Sequence, residues 1–365
     1  MNIGIPKERR PSEYRVGLPP AGVSLFAEHD FNVYVERGAG VGAGFSDDDY
    51  AQAGALIAYS EEEVIGRADI VLKFARPLHE ELEMMRTGQT LIGFFHLAAA
   101  RQDKLEVLLD KQITTVAYEQ IEEDDGYHPV LAPMSQLGGH MAVQIAARLM
   151  QNDFGGRGIL LAGVVGVPAP EVVILGSGTL GSTAAMAFSA LGAHVTVLDI
   201  ELRRLQELQQ RTPCQLVTML ATPHNIQRVC SYADVLIGAI LVPGERSPVI
   251  IPRQVVARMK RRAVIVDMSI DSGGCVETSR PTSHSSPTYV EEGVIHCCVP
   301  NLPGVLGRTG THALYNAAFP YLQAIARLGV DEALRQFPAL ERGVNIYRGE
   351  VRHMTRLVEI RSHDR

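Results

Sequence analysis

Short apolar runs rich in β-branched residues alternate with helical stretches along the first third of the chain. The runs cover residues 2–6, 31–36, 70–74, 91–95 and 114–118, and a helix is opened by two prolines at 19–20. Strands that alternate with helices are typical of parallel βαβ units. The pattern therefore predicts one parallel, doubly wound sheet in this part of the chain.

Near residue 135 the apolar positions change to a helical period. Leu137, Met141, Ile145 and Leu149 recur every four residues, and Ser135 precedes them in the position of a helix cap. A Gly- and Pro-rich loop, 155–170, comes next. We therefore predict a helix capped by Ser135 that links two domains.

A second series of apolar strands follows this loop. It covers residues 171–175, 194–198, 234–239, 263–268 and 294–299, and predicts a second open sheet. The sequence 309–328 is helical, with a kink expected at Pro320, and no strand is expected beyond it. We expect this tail to return to the first domain. The prediction is two doubly wound α/β domains with mainly parallel sheets, joined by long helices: 1–134 with 305–365, and 135–304.

Composition indicates the class of protein and the cellular compartment. The 365 residues are 46% hydrophobic and 21% charged, with a net charge of -7, as in an ordinary globular protein. Five cysteines without a C-x-x-C pair fit a reducing compartment, and the start of the chain has no apolar core of a secretory signal. No apolar stretch approaches the roughly 20 residues that span a bilayer. We expect a cytoplasmic protein that binds neither membrane nor nucleic acid.

A glycine motif follows the first strand of the second domain. Residues 176–181 read G-S-G-T-L-G between the strand EVVIL and a helix of small residues. Gly176 permits the tight turn, Gly178 lets the backbone approach a pyrophosphate, and Gly181 lets helix and strand pack closely. The amino end of the helix offers N–H groups to phosphates. The alternative is a tight βα turn without a ligand, but the complete context favours a dinucleotide site.

Asp199 indicates which dinucleotide would bind there. It ends the next strand, 21 residues after Gly178, where a carboxylate accepts hydrogen bonds from the ribose hydroxyls and repels a 2′-phosphate. NAD is therefore favoured over NADP, although Arg203 and Arg204 close by weaken that preference.

Hydride transfer also needs a substrate anchor and a proton carrier, and the first domain offers candidates for both. Arg15 can pair with a carboxylate, Lys73 ends an apolar strand, and His96 directly follows the strand LIGFF. Open α/β sheets bind ligands at the carboxyl ends of their strands. The alternatives are a solvated loop arginine, a lysine that extends its ammonium to water, and a histidine that merely ends a strand.

The second domain adds Asp267 and Asp271, which leave an apolar strand and enter a Gly-Gly loop. One of them can face the nicotinamide and the substrate nitrogen, and the alternative for each is a turn or capping residue. Residues 296–298 read H-C-C, but neighbouring residues on a strand point to opposite faces, so we expect core strand and no metal site.

Several blocks in order resemble the alanine dehydrogenase family, which is related to the NAD(H)-binding part of proton-translocating transhydrogenase. They are GIPKE, EYRVGLPPAGV, FHLAA, LAPMSQLGG, GVPAPEVVILGSGTLG, VLDI, IGAILVPG, MSIDSGGCVETSRPT and VPNLPG. Together they span nearly the whole chain. The resemblance implies two Rossmann-like domains, usually in a homohexamer. It also implies reversible, NAD-dependent conversion of L-alanine to pyruvate and ammonia.

The resemblance also implies roles for single residues. His96 becomes the acid/base and Asp271 the second catalytic residue, Arg15 grips the substrate carboxylate, and Asn301 lies close to NAD and to the substrate. Lys73 is expected to bind substrate from its place at the end of a strand. The first domain is then the substrate domain and the second binds NAD. The residues expected around NAD are Ser135, Gly176, Gly178, Thr179, Leu180, Gly181, Asp199, Arg204, Ile240, Leu241, Asp267 and Met268.

One position departs from the family pattern. The family usually reads K-V-K-E-P where residues 73–77 read K-F-A-R-P here, and its second lysine helps to bind the oxo acid. Ala75 removes that ammonium, which costs roughly 1.5 to 3 kcal/mol of substrate binding. Lys73 shares the face of Ala75, whereas Arg76 points to the other face unless the strand end twists. The smaller side chain leaves room for a bulkier amino or oxo acid.

Three classes of function therefore stay open. The leading hypothesis is an amino-acid dehydrogenase, with alanine as substrate and a larger amino acid as the runner-up. The second is a transhydrogenase-like subunit that passes hydride to a partner protein, and the third is an NAD(H)-sensing protein. Arg15 and His96 favour the dehydrogenase, because a hydride carrier needs no carboxylate grip.

Overall fold

A computed structural model describes residues 1–97, 100–212, 216–242 and 246–354. The chain forms two compact units. One comprises Met1–Met134 and the segment from Gly304 onward, and the other comprises Ser135–Pro303.

The first unit is built on an eight-stranded sheet. Its strands are β1 (Asn2–Ile5), β2 (Asn32–Glu36), β3 (Leu56–Ala58), β4 (Ile70–Leu72), β5 (Thr90–Gly93), β6 (Thr114–Ala117), β14 (Val344–Tyr347) and β15 (Glu350–Val351). They lie in the order β15-β14-β6-β5-β4-β1-β2-β3. All neighbours are parallel except β14, which runs antiparallel to β6 and to β15. The chain therefore reverses its winding between β1 and β4.

The second unit is built on a seven-stranded sheet. Its strands are β7 (Glu171–Leu175), β8 (His194–Asp199), β9 (Val217–Leu220), β10 (Val235–Gly238), β11 (Val264–Asp267), β12 (Thr288–Glu291) and β13 (Val294–Cys297). Their order is β12-β13-β11-β10-β7-β8-β9, and only β12 is antiparallel to its neighbour. The winding reverses between β7 and β10, where open α/β sheets bind ligands. The prediction of two mainly parallel, doubly wound sheets is confirmed.

Thirteen α-helices cover these sheets in the described part of the chain. They are α1 (Pro20–Ala27), α2 (Asp47–Gln52), α3 (Glu61–Arg67), α4 (His79–Met84), α5 (Gln102–Asp110), α6 (Leu131–Leu149), α7 (Thr179–Ala190), α8 (Leu202–Arg211), α9 (Pro223–Tyr232), α10 (Arg253–Val256), α11 (Gly307–Leu328), α12 (Val330–Gln336) and α13 (Pro338–Arg342).

Each sheet carries its own apolar core. In the first unit, Val71 and Leu91 of the sheet pack with Leu105 and Leu108 of α5. In the second, Leu236 and Ile265 pack with residues of α9 and α10. Such burial supplies the main favourable free energy of folding, about 25 cal/mol per Å² of apolar surface removed from water. The continuous apolar runs of the central strands follow from burial on both faces.

Two expectations about secondary structure are wrong. Ser135 does not cap α6, because that helix begins four residues earlier at Leu131 and includes Pro133 in its first turn. Proline is accepted there because the first N–H groups of a helix have no intrahelical partner. Strands do follow the helical tail, since β14 and β15 extend the first sheet. Their four and two residues carry too short a pattern to reveal that β6 is their partner.

The helical tail itself begins at Gly307 and contains Pro320 within α11. It contacts α1, in the same unit. In the described residues, no helix is long and apolar enough to cross a membrane.

Candidate active site

Arg15 lies beyond the carboxyl end of β1 and is buried. Its Nε and Nη2 donate to the two carboxylate oxygens of Glu13 at 2.6 and 2.5 Å, and its guanidinium lies 3.9 Å above the ring centroid of Phe74. Nη1 lies 3.9 Å from the sulfur of Met134. A solvated loop arginine is therefore excluded. The side chain is a fixed cation, which is what recognition of a carboxylate requires.

The segment that returns from the second unit fixes the backbone around Arg15. The N–H of Tyr14 donates to the carbonyl of Gly304 at 3.0 Å, and the N–H of Val16 donates to Oγ1 of Thr311 at 3.1 Å. A Cβ atom on Gly310 would lie 2.5 Å from Cδ of Arg15. The start of α11 thus accommodates the arginine only because Gly310 has no side chain.

Lys73 directly follows β4, but its ammonium is directed into the protein. Nζ lies 2.6 Å from Glu81 and 3.2 Å from Glu8, and only 2% of the side chain is exposed. Burial lowers the pKa of Lys73, but the two carboxylates outweigh burial and the net shift is upward. Burial raises the pKa of Glu8, although Lys73 opposes that shift. The alternative of a lysine that extends its ammonium to water is therefore wrong. Substrate binding by Lys73 stays a prediction, and these contacts do not favour it.

His96 lies three residues beyond β5, with its backbone in the left-handed region at φ 47°. The carboxylate of Glu119 accepts hydrogen bonds from the N–H of Phe95, at 3.2 Å, and from that of His96. The imidazole is 48% exposed, and its Nδ1 lies 3.9 Å from Glu119. An imidazole that is accessible on a fixed backbone suits proton transfer to a ligand.

Parallel register brings these side chains to one edge of the sheet. Leu72 pairs with Ile92, and Ile92 pairs with Val116, so β4, β5 and β6 end together. The ring of Phe74, under Arg15, lies 5.6 Å from that of Phe94, two residues before His96. The loops that carry the cation and the imidazole therefore begin at the same edge of the sheet.

In the second unit the glycine motif forms the turn between β7 and α7. A Cβ atom on Gly176, at φ 99°, would lie 2.4 Å from the carbonyl oxygen of Ala239, and one on Gly181 would lie 1.9 Å from that of Gly176. Gly178 differs, because no atom lies within 4 Å of its would-be Cβ. The motif thus leaves open space at the amino end of α7, beside Thr179 and Leu180, where a pyrophosphate fits.

Asp199 is buried at the end of β8 and is tied to this turn. One carboxylate oxygen accepts hydrogen bonds from the N–H and the hydroxyl of Ser177 at 2.7 and 2.8 Å, and the other accepts the N–H of Glu201 at 2.9 Å. A carboxylate has about four acceptor positions, so capacity for ribose hydroxyls is left. Arg204, close by, is exposed and pairs with Glu201 at 3.1 Å.

The loops after β10 and β11 contain the next predicted residues. The N–H of Ile240 donates to the hydroxyl of Ser269 at 2.9 Å, while Leu241 is exposed. Asp267 is 1% exposed and accepts the N–H groups of Ser269 and Cys275, both at 3.0 Å. These contacts favour the alternative role for Asp267, a residue that shapes the turn.

Asp271 and Asn301 are in direct contact. Both carboxylate oxygens of the exposed Asp271 accept the N–H of Asn301, at 3.1 and 3.0 Å, and the backbone of Asn301 is left-handed at φ 50°. The two residues predicted to face substrate are therefore in contact in the second unit, through the main chain of Asn301.

Ser135 and Gly138 belong to the part of helix α6 that lies in the second unit. A Cβ atom on Gly138 would lie 3.1 Å from Leu180 and 3.3 Å from Cε of Met268. Because Ser135 is three residues before Gly138, it lies about one helical turn from this contact. The predicted cofactor residues Ser135, Leu180 and Met268 thus belong to one region.

His296 is buried in β13 and does not face a metal-binding group. Its Nε2 lies 2.8 Å from the hydroxyl of Thr278, and its Nδ1 lies 3.0 Å from the carbonyl of Val294. No cluster of three potential metal ligands occurs among the described residues.

Glu13 and Glu119 are absent from the residues that the sequence pattern singled out. Glu119 follows β6 at the same edge as His96, so the rule that selected His96 also pointed to it. Glu13 is two residues before Arg15, and this spacing brings side chains to one face in extended backbone. The place of Glu119 after a strand and the spacing of Glu13 from Arg15 were both visible in the sequence. Only the hydrogen bonds of the structure show that these carboxylates hold Arg15 and the backbone of His96.

Family profiles match both parts of the chain. The profile described as "Alanine dehydrogenase/PNT, N-terminal domain" matches residues 4–138, and the corresponding C-terminal domain matches residues 142–354. The chain belongs to the alanine dehydrogenase/PNT family. The predicted resemblance is confirmed.

Curated relatives in this family match nearly full length. The alanine dehydrogenase of Methanococcus maripaludis is 41% identical, over 96% of this chain and 94% of that protein. The alanine dehydrogenase of Staphylococcus haemolyticus is 42% identical, over 97% and 94%.

Solved structures support the same family and fold. An L-alanine dehydrogenase superposes with a TM-score of 0.93 at 40% identity, over 99% of each chain. A transhydrogenase from Sinorhizobium meliloti, 22% identical over 97% of this chain and 99% of that one, superposes with a TM-score of 0.79 and shows the shared fold alone.

The glycine motif of this family member gives a first prediction. We expect Gly178→Ala to fold with unchanged thermal stability but to bind NADH at least tenfold more weakly, because the added methyl occupies only the space open to a phosphate. Gly181→Ala should instead lower the melting temperature, because its methyl meets a carbonyl oxygen. Thermal unfolding and NADH fluorescence titration measure both effects. Equal loss of stability in the two variants would contradict the assignment of Gly178 to the cofactor.

The cluster around Lys73 gives a second prediction, through Glu61 at the start of α3. Burial, followed by the hydrogen bond and the negative charge of Glu81, raises the pKa of Glu61 to about 7. Between its ordinary value and about 7, the folded state holds a proton that the unfolded chain releases, so stability falls as pH rises through this range. Glu61→Gln cannot ionise. We expect the free energy of unfolding of Glu61→Gln, measured relative to that of wild type, to be higher at pH 8 than at pH 5.

Urea unfolding at the two pH values measures this change. Glu62→Gln is the matched control, because hydrogen bonds to its backbone and Ser60 lower the pKa of exposed Glu62. The stability of Glu62→Gln relative to wild type should not increase between pH 5 and pH 8. The same pH dependence in both variants would show that Glu61 is not the responsible group.

Proposed function

We propose that this protein is an NAD-dependent amino-acid dehydrogenase that interconverts L-alanine and pyruvate. The observation that carries the proposal is the carboxyl edge of the first sheet, where the loops that bear buried Arg15 and accessible His96 both begin. Relatives about 40% identical over almost their whole length carry the name alanine dehydrogenase, which supports the same activity.

The overall reaction balances as L-alanine, NAD⁺ and water on one side and pyruvate, ammonium, NADH and a proton on the other. Arg15 binds the substrate carboxylate and orients the α-carbon. His96 holds or accepts the proton that leaves as the carbonyl forms from the imine. Asp271, placed by its contact with Asn301, acts on the substrate nitrogen.

The residues of the second unit fit a dinucleotide. The open space at Gly178 and the amino end of α7 receive the pyrophosphate, and Asp199 accepts the ribose hydroxyls. A buried carboxylate there disfavours a 2′-phosphate, so NAD is preferred to NADP. When bound, NAD supplies the acceptor for the hydride that leaves the α-carbon. Thr179, Leu180, Arg204, Ile240, Leu241 and Met268 complete this region.

Ala75 supports a second candidate, a dehydrogenase of a larger amino acid, because it stands where the resemblance implies a lysine. Ala75 offers only a methyl group, and Lys73 cannot replace the lysine implied by the resemblance because Glu8 and Glu81 hold its ammonium. A site with one cation fewer binds a small oxo acid more weakly and admits a longer side chain.

We also propose that the protein is a cytoplasmic homo-oligomer, as the resemblance implies. The loop before β7 exposes several apolar side chains in one short stretch, and these would be covered in an assembly: Leu160, Val164, Val165 and Val167. The four cysteines within the described residues are buried free thiols, which suits a reducing compartment.

The role of His96 leads to a third prediction. His96→Ala should abolish turnover, because it removes the group that carries the proton in the proposed reaction, while NADH affinity stays within about twofold. Steady-state rates with pyruvate, ammonia and NADH, together with fluorescence titration of NADH, measure the two properties. Parallel loss of both would mean that His96 supports the fold and not the chemistry.

The substrate leads to a fourth prediction. We expect NADH oxidation with ammonia and pyruvate, and we expect Ala75→Lys to lower the Michaelis constant for pyruvate about tenfold or more by restoring one charge-assisted hydrogen bond. Ala75→Met has similar length without charge and should give no such gain. Turnover only with larger 2-oxo acids would support the second candidate, and no turnover with any acid would reject the dehydrogenase.

A further inference from the structure

The backbone of His96 is held in an unusual conformation. Its φ of 47° is uncommon for a residue with a side chain, and such a conformation persists only where surrounding contacts impose it. Almost half of the His96 side chain is accessible. Whatever imposes this conformation also decides where the imidazole lies.

Glu119 makes the contacts that impose it. This residue lies in the single turn Tyr118–Gln120, directly after β6, and only 8% of it is exposed. Oε1 accepts the N–H groups of both Phe95 and His96, and Oε2 accepts that of Phe95 at 3.2 Å. Two successive N–H groups directed at one carboxylate oxygen fix the peptide plane between them.

The hydrogen bonds of Glu119 reach the backbone and not the ring. Nδ1 of His96 lies 3.9 Å from Oε1, beyond hydrogen-bond distance. The carboxylate therefore does not occupy the ring nitrogen as it would in a hydrogen-bonded catalytic pair. Its geometric effect is on the main chain that carries the imidazole.

We propose that Glu119 is a positioning residue for His96, which holds the left-handed turn that presents the imidazole to the substrate. The inference rests on the proposed role of His96 in proton transfer. A misplacement of about 1 Å can cost on the order of a hundredfold in rate, so loss of this contact should lower kcat more than it lowers binding of NADH.

Two variants separate position from charge. Glu119→Gln keeps the side-chain length and one carbonyl oxygen that can accept both N–H groups, but it loses the charge. Glu119→Asp keeps the charge but withdraws the carboxylate by one methylene. We expect kcat within tenfold of wild type for Glu119→Gln and at least a hundredfold lower for Glu119→Asp, with the Michaelis constant for NADH within about twofold in both.

Glu36→Asp is the matched control for general damage. Glu36 is a similarly buried carboxylate at the last position of β2 in the same sheet, and it accepts the N–H of Lys7 at 2.7 Å. Its shortening should lower thermal stability by a similar amount and leave kcat per folded molecule unchanged. A fall in kcat for Glu36→Asp equal to that for Glu119→Asp would reduce the effect to stability and overturn the proposal.

The remaining outcomes are equally decisive. Full activity of Glu119→Asp overturns the proposal, and so does inactivity of Glu119→Gln beside an active Glu119→Asp, because charge would then be what matters. If His96→Ala retains turnover, the proposed function itself fails. If His96→Ala is inactive and Glu119→Asp is fully active, only the positioning role is lost.

Discussion

The structure depends on one constraint, the parallel register of the central strands in each sheet. Since β1, β4, β5 and β6 all run in the same direction, the segments that leave them begin at one edge, although they are far apart in sequence. This edge collects Arg15, Lys73 and His96, each on a separate loop. In the second unit the same constraint places the glycine motif after β7 beside the loops after β10 and β11.

Charge burial then decides what each side chain at the first edge can do. Arg15 is paired with Glu13, and Lys73 is paired with Glu8 and Glu81, so both cations have partners before any substrate arrives. A buried ion pair gives little net stability, but removal of one partner leaves a charge that costs several kcal/mol. These pairs therefore fix orientation. Glu13 thus holds the guanidinium of Arg15, and Glu8 and Glu81 hold the ammonium of Lys73.

Two of the eight residues other than glycine that have positive φ in the described part of the chain lie at the proposed chemistry. His96 and Asn301 both adopt left-handed backbone, and each N–H is held by a carboxylate, from Glu119 and Asp271 respectively. Residues in such conformations need surrounding contacts that impose them. The same device thus recurs in both units. Position 75 differs from these two positions. There the absence of a long side chain, and not an added contact, bears on the size of the substrate.

The sequence by itself determined the alternation of strands and helices, the glycine motif with Asp199, and the candidate residues at strand ends, because these depend on local period and spacing. The same local signals also indicated the family. Tertiary structure alone decided the rest. The pairing of β14 with β6 depends on distant partners, and so do Glu8, which contacts Lys73, and Glu119, which holds the backbone of His96. A side chain's partner is set by which loops meet in space, and local pattern carries no record of that meeting.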